Sequence, residues 1–405
     1  MIILPPESST IVQSPLSTEL REYDIFGERT KIEHHDSIPY YINEFWTSKQ
    51  RQAHRLHEIS YRACFKPQLP GFFIDRLTKP GDIVYDPFMG RGTTLLEAAL
   101  KGRNPYGNDT NPLSRALIEP RLCPPTLNDV LLRLESIPWD SFNSYERDDL
   151  LTFYHSETLK KLEGLRHWLI IRKESGKWDN VDAWIRMVAL NRLTGHSSGF
   201  FSVYTLPPNQ AVTVDRQKRI NLKRKQVPTI RDIPTIIAKK SKTLLSQGAP
   251  PTTNSFTLTA QSDHTPEIPD NAVSLTVTSP PFLDIVNYEN DNWLRCWFLG
   301  TAPDSVKISS YRNVEDWQNF IRRTLLELSR ITHAGGHIAF EVGEVRNGSL
   351  KLEKNVIAAA AGLPLKTIGV MINQQEFTKT SNCWGVTNNN SGTNSNRIII
   401  LQKLT

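Results

Sequence analysis

Residues 79–109 constrain the fold more than any other stretch of the chain. Lys79-Pro80-Gly81-Asp82 is a turn, and Ile83-Val84-Tyr85 after it reads as a short buried strand. A glycine-bearing turn follows, and Thr94 to Lys101 (TLLEAALK) then has helical spacing that Gly102 ends. Asn104 to Asp109 reads as a second strand. Strand, turn, helix and strand in that order form a βαβ unit, so the chain is an α/β protein built on a parallel sheet.

The remainder arranges itself around that unit. Residues 1–47 are rich in Pro, Ser and turn formers and read as an N-terminal arm, while 48–62 (SKQRQAHRLHEISYR) has helical spacing. From about Pro120 to Ser255 the pattern becomes helical, with amphipathic stretches at 150–172 and 181–193. Strand-like alternation returns at 255–259 and 272–278, a helix is predicted over 315–331, and strands over 337–342 and 397–401 (RIIIL). This predicts one α/β domain, residues 48–119 with 255–405, interrupted by a largely helical insertion at 120–254.

A chain of 405 residues with 39% hydrophobic and 22% charged residues suits a folded globular protein. Cys64, Cys123, Cys296 and Cys383 are scattered without a Cys-x-x-Cys pair, which reads as reduced thiols with neither a disulfide framework nor a zinc site. The sequence MIILPPESST has no basic stretch leading into an apolar core, and no apolar run nears the roughly 20 residues that span a bilayer. Expectation therefore falls on a cytosolic protein.

Asp86-Pro87-Phe88-Met89-Gly90-Arg91-Gly92-Thr93-Thr94 lies directly between the first strand and its helix. Glycine there lets the backbone turn without a Cβ in a ligand's way, and the helix start offers free N–H groups to a carboxylate. Asp86 at the strand end is placed to hold an ammonium group. Asp109, 23 positions later at the end of the next strand, stands where an acidic residue takes ribose hydroxyls in nucleotide-binding α/β folds. No Gly-Lys-Ser/Thr follows, so this is not a phosphate loop, and Leu95 breaks the dinucleotide fingerprint.

A second motif follows the strand Ser274-Leu275-Thr276-Val277: Thr278-Ser279-Pro280-Pro281-Phe282. Paired prolines make a stiff loop and push Ser279 and Pro280 towards extended conformations. Such a loop presents a hydroxyl, a carbonyl and an aromatic ring, as amino methylation of a flipped base requires. Leu206-Pro207-Pro208-Asn209 lacks the polar residue before and the aromatic after, and reads as a structural turn.

Together DPFMGRGTT and TSPPF resemble the S-adenosylmethionine-dependent amino-methylating DNA methyltransferases, and Ser before the prolines favours the cytosine-N4 type over the adenine-N6 type. The resemblance implies a Rossmann-like class I methyltransferase sheet with an antiparallel last strand. It implies S-adenosylmethionine held by Asp86, Phe88, Gly90, Gly92, Thr93, Thr94 and Asp109, with Asp263 at the adenine, and no metal. It implies catalysis by Ser279, Pro280, Pro281 and Phe282. Phe65-Lys66-Pro67-Gln68-Leu69-Pro70 resembles the family's helix over the methionine end of the cofactor, and 287–300 its segment after the catalytic motif, where Trp293, Trp297 and Phe298 read as core. The cofactor loop here precedes the catalytic loop, an order that circular permutation of one fold explains.

Between Arg216 and Lys242 stand ten basic residues against one acid, Asp232, which exceeds the chain's net charge of +6. Lys218, Arg219, Lys223, Arg224 and Lys225 are accordingly expected to meet DNA phosphates, with the insertion as target-recognition region. Double-stranded DNA is the expected partner, in a bacterial or archaeal cytosol, with a restriction endonuclease as a possible companion. His54 and His57 read as helix-surface residues. Adenine-N6 methylation, methylation of an RNA or protein amino group, and a DNA-binding module without activity stay open as alternatives.

Overall fold

The computed structural model describes residues 15–46, 53–61, 64–206, 212–281, 288–301, 311, 313–345, 350–374 and 395–404. Strands β1 (Lys31–His35), β2 (Ile38–Asn43), β3 (Ile83–Asp86), β4 (Asn104–Asn108), β5 (Phe256–Leu258), β6 (Val273–Thr278), β7 (Thr332–Val342), β10 (Leu365–Gln374) and β11 (Ser395–Lys403) make one sheet, and β8 (Glu344–Val345) pairs with β9 (Leu350–Lys351) separately. The sheet order is β1-β2-β10-β11-β7-β6-β3-β4-β5. Neighbours from β7 through β6, β3 and β4 to β5 are parallel, and β11 runs antiparallel to both β7 and β10.

Helices cover both faces. Alternation along the strands divides the core: Ile398 and Ile400 of β11 pack with α1 (Pro15–Glu22) and α2 (Gln68–Leu77), whereas Ile399 and Leu401 pack with α11 (Val314–Ile331) and α12 (Leu352–Ala360). Ile398 to Leu401 are apolar without interruption because both faces of the strand are buried there.

Residues 31–43 are not a loose arm. Tyr40, Tyr41 and Ile42 of β2 pair in parallel with Val370, Met371 and Ile372 of β10, and Asn373 Oδ1 accepts the Phe45 and Trp46 amides. A boundary at residue 47 would therefore cut through the sheet. The Pro- and Ser-rich composition hid a strand whose partner lies 330 residues away. The helix expected over 48–62 is also corrected: among its described residues only the single turn Arg55–His57 is helical.

The insertion is helical as expected: α5 (Leu127–Ser136), α6 (Ser156–Glu174), α7 (Asn180–Leu190), α8 (Val214–Arg224) and α9 (Ile233–Leu244). A Thr126–Asp129 capping box starts α5, and Asp232 caps α9. This bundle is not a detached module. Leu162, Trp184, Val188 and Ile237 share one apolar cluster with Leu95 and Leu96 of α3 (Thr93–Leu100), Leu117 and Ile118 of α4 (Pro112–Leu122), and Leu294 and Phe298 of α10 (Tyr288–Leu299). Trp293 and Trp297 pack against the same cluster, as core residues should.

Candidate active site

The ends of β3 and β6 lie side by side in the middle of the sheet and carry the two motif loops. Gly90 and Gly92 both adopt positive φ, +48° and +76°, which turns the chain from β3 into α3. Thr278 Oγ1, at the end of β6, donates to Asp86 Oδ1 at 2.6 Å, and Thr94 Oγ1 donates to the Val277 carbonyl at 3.0 Å. Each loop thus stiffens the other.

A cavity opens between them. Asp86, Phe88, Gly90, Thr93, Asp109, Ser279 and Pro281 line it together. Tyr61, Phe65, Asn111, Gln261, Ser262 and Phe320 line it too, and neither motif announced them. Phe65 precedes α2, which begins only at Gln68 within the 65–70 segment expected to be helical.

Two carboxylates face this space. Asp86 Oδ1 also accepts the Phe88 amide, and burial pushes its carboxyl up from 3.8 to about 7, against the hydrogen bonds from Thr278 and Phe88. Asp109 accepts the Gly90 amide at 2.9 Å and the Asn111 amide at 2.8 Å, and burial raises it as well. Desolvated acids of this kind favour a cation that restores their charge.

Several expected contacts fall elsewhere. Gly92 and Thr94 are buried behind the cavity wall, and a Cβ on Gly92 would sit 2.4 Å from Ile118 Cγ1, so this glycine serves packing; Pro280 is buried between the lining residues Ser279 and Pro281. Asp263 does not reach the cavity, because Arg323 Nε holds its carboxylate at 2.9 Å, and its neighbours Gln261 and Ser262 stand there instead. Phe282 lies outside the described residues, as do Pro207, Pro208 and Asn209.

Ser279 has a partner that sequence reasoning missed. The buried Glu341 of β7 hydrogen-bonds Ser279, accepts from Asn396 at 2.9 Å, and is raised by burial. His57 is not a surface residue either: it is buried, with Nε2 2.8 Å from Glu97 Oε1, and burial lowers its pKa. Among the described residues no group of three or more His, Cys, Asp or Glu is placed to hold a metal.

Behind the cavity, residues 56–60 form a strap whose carbonyls are held by three arginines. Arg121 donates to Leu56, Arg91 to His57 and Ile59, and Arg295 to Ser60. Beyond the single turn Arg55–His57, whose His57 carbonyl also takes the Ile59 amide at 2.7 Å, the strap's carbonyls go to side chains of other elements. It carries Tyr61 up to Gly90. Glu58 pairs with Lys240 of α9 at 2.9 Å, which joins the insertion to the strap.

A mostly parallel sheet in which β11, beside β7, and the edge strand β1 run reversed, with a glycine loop after β3, has a Rossmann-like class I methyltransferase fold. Within that class, residues 21–118 match the family described as DNA methylase, the N6/N4 methyltransferases. The chain is similar to the type II methyltransferase M.MjaII of Methanocaldococcus jannaschii, with 40% identity over 77 residues, 19% of this chain and 14% of that protein. It is similar to the type II methyltransferase M.MvaI of Kocuria varians, 38% over 87 residues, covering 21% and 19%. A longer match, 24% identity over 307 residues, joins it to the type II methyltransferase M.BsoBI of Geobacillus stearothermophilus, covering 64% and 54%. The chain is thus similar over part of its length to amino-methylating DNA methyltransferases, and it spans less than two thirds of the length of each of these curated proteins.

Proposed function

We propose that this protein is a site-specific DNA methyltransferase that transfers a methyl group from S-adenosylmethionine to cytosine N4 in double-stranded DNA. The observation that carries the reading is the meeting of DPFMG and TSPP at one cavity, joined by the Thr278–Asp86 hydrogen bond. S-adenosylmethionine would supply an activated methyl group. The cavity suits it: two desolvated carboxylates for a cation and ribose hydroxyls, a glycine turn for close approach, and the apolar faces of Phe65, Phe88 and Phe320.

The chain's own residues then have distinct tasks. Asp86 would hold the ammonium group and Asp109 the ribose. The Pro280 carbonyl and Ser279 accept hydrogens of the base's amino group and draw its lone pair out of conjugation, with Glu341 fixing the Ser279 hydroxyl. Phe282 stacks on the extruded ring. Positioning and electrostatics carry this chemistry, and no cysteine nucleophile takes part. Lys218, Arg219, Lys223, Arg224 and Lys225 on and beside α8 would meet phosphates, in a bacterial or archaeal cytosol, with or without a companion endonuclease.

Incubation of duplex DNA with radiolabelled cofactor, followed by digestion to nucleosides, tests the reading. The label is expected on N4-methylcytosine. Label on N6-methyladenine would move the base and keep the mechanism. Label on cytosine C5, or only on RNA or protein, would overturn the proposal.

A further inference from the structure

The basic ridge of α8 is also the most exposed apolar surface of the insertion. Of the ten large hydrophobic residues that are exposed among the described residues, three lie between 222 and 230: Leu222 at 84%, Val227 at 76% and Ile230 at 64%. Leu222 stands one helical turn from Lys218 and Arg219, and Lys225 is the left-handed residue that ends the helix. A face that served only solubility would carry charge at these positions.

The segment is fixed, which removes the reading of a loose linker. On the inward face Gln217 is buried and donates to the Tyr204 carbonyl, while Asn221 donates to the Thr152 carbonyl at 2.8 Å. Gln226 donates to Tyr204 as well, and the Arg231 amide donates to Thr158 Oγ1 at 2.8 Å. Arg224 lies 3.7 Å over the Tyr204 ring, so its charge is oriented and does not sweep freely. Polar anchors face the protein, and apolar tips stand outward among cations.

A partner matching this surface presents anionic charge and an apolar strip a few ångströms apart. Duplex DNA does so, with phosphates bordering a groove floored by sugar faces and base edges that include thymine methyl groups. We propose that Leu222, Val227 and Ile230 form an apolar seam that enters a DNA groove while Lys218, Arg219, Lys223 and Lys225 hold the phosphates beside it. This rests on the DNA-methyltransferase reading and adds which part of the chain touches the groove interior.

The two kinds of contact respond differently to salt. Each lost phosphate contact lowers the slope of log affinity against log salt by about one, whereas a lost apolar contact releases no counterions. Binding of the full chain to a duplex by fluorescence anisotropy, from low to moderate salt, separates them. The triple change Leu222→Ser, Val227→Ser and Ile230→Ser is expected to weaken binding on the order of tenfold with the wild-type slope. Lys218→Ala with Lys223→Ala is expected to flatten the slope. All five side chains are exposed, so folding is not at stake. Wild-type affinity in the triple variant would overturn the seam and leave the phosphate reading intact. Wild-type dimers that the triple variant dissolves would assign the seam to a second copy and overturn it too. A chain that binds no duplex at all would overturn both this inference and the DNA reading.

Discussion

The cavity beneath the glycine loop and the ridge on α8 are made by opposite means. In the cavity, burial raises Asp86 and Asp109, so the protein stores unspent electrostatic potential in two desolvated acids. On the ridge the cations stay solvated and act at a distance that salt controls. The contrast teaches where each kind of selectivity comes from: geometry and dehydration inside, accumulated charge outside.

The largest expected effect tests the interior. Asp86 is raised to about 7, so between its ordinary value of 3.8 and that point the folded protein without cofactor holds a proton the unfolded chain has released. The stability this proton contributes is fully present below 3.8 and is lost as pH rises through about 7. A bound ammonium group favours the ionised carboxylate, so calorimetry between about pH 5.5 and 7 should show cofactor affinity increasing with pH, by at most about tenfold per unit. Asp86→Asn should flatten that profile and weaken binding on the order of tenfold to a hundredfold. An unchanged profile in the variant would move the cation site away from Asp86.

A smaller effect separates wall from packing. Gly92→Ala places a Cβ against Ile118 at positive φ, and thermal unfolding should report destabilisation of about 2 kcal/mol or more. The salt dependence of DNA binding should not move. If cofactor affinity fell while the unfolding midpoint held, Gly92 would be a cavity residue after all.

The smallest effect is expected from the thiols. Cys64 lines the cavity and burial raises its pKa, which suits a wall and not a nucleophile. Serine at Cys64, Cys123, Cys296 and Cys383 together should leave turnover within a few-fold of wild type in the label-transfer assay. Abolished turnover in a folded variant would argue for a covalent route.

What could be read from the sequence was local. The strand, loop and helix around Asp86-Pro87 and the stiff Ser279-Pro280-Pro281 loop are written in glycines and prolines whose constraints need no distant partner. β2, β10 and α12 were missed because what stabilises them is remote: Tyr40 pairs with Val370, and Asn373 holds Phe45. The strap at 56–60 failed for a related reason, since its helical composition is overruled by arginines from three other elements. Asp263 pairs with Arg323 on α11, a contact the resemblance does not mark. Glu341, beside Ser279, gave no signal beyond an acid in an apolar strand.

The shared apolar cluster of α3, α4 and the insertion bears on how such a protein can change over generations. The two stems of the insertion are pinned together, with Thr257 donating to Glu119 at 2.6 Å and the Asn254 amide to Asn104. Joined ends would suit wholesale exchange of such an insertion. The common core forbids it, because a foreign bundle would arrive without the side chains that fit Leu95, Leu117 and Ile118. Replacements that this interior tolerates would then gather on the outer faces of α8 and α9, over a heritable core that keeps the glycine loop in shape.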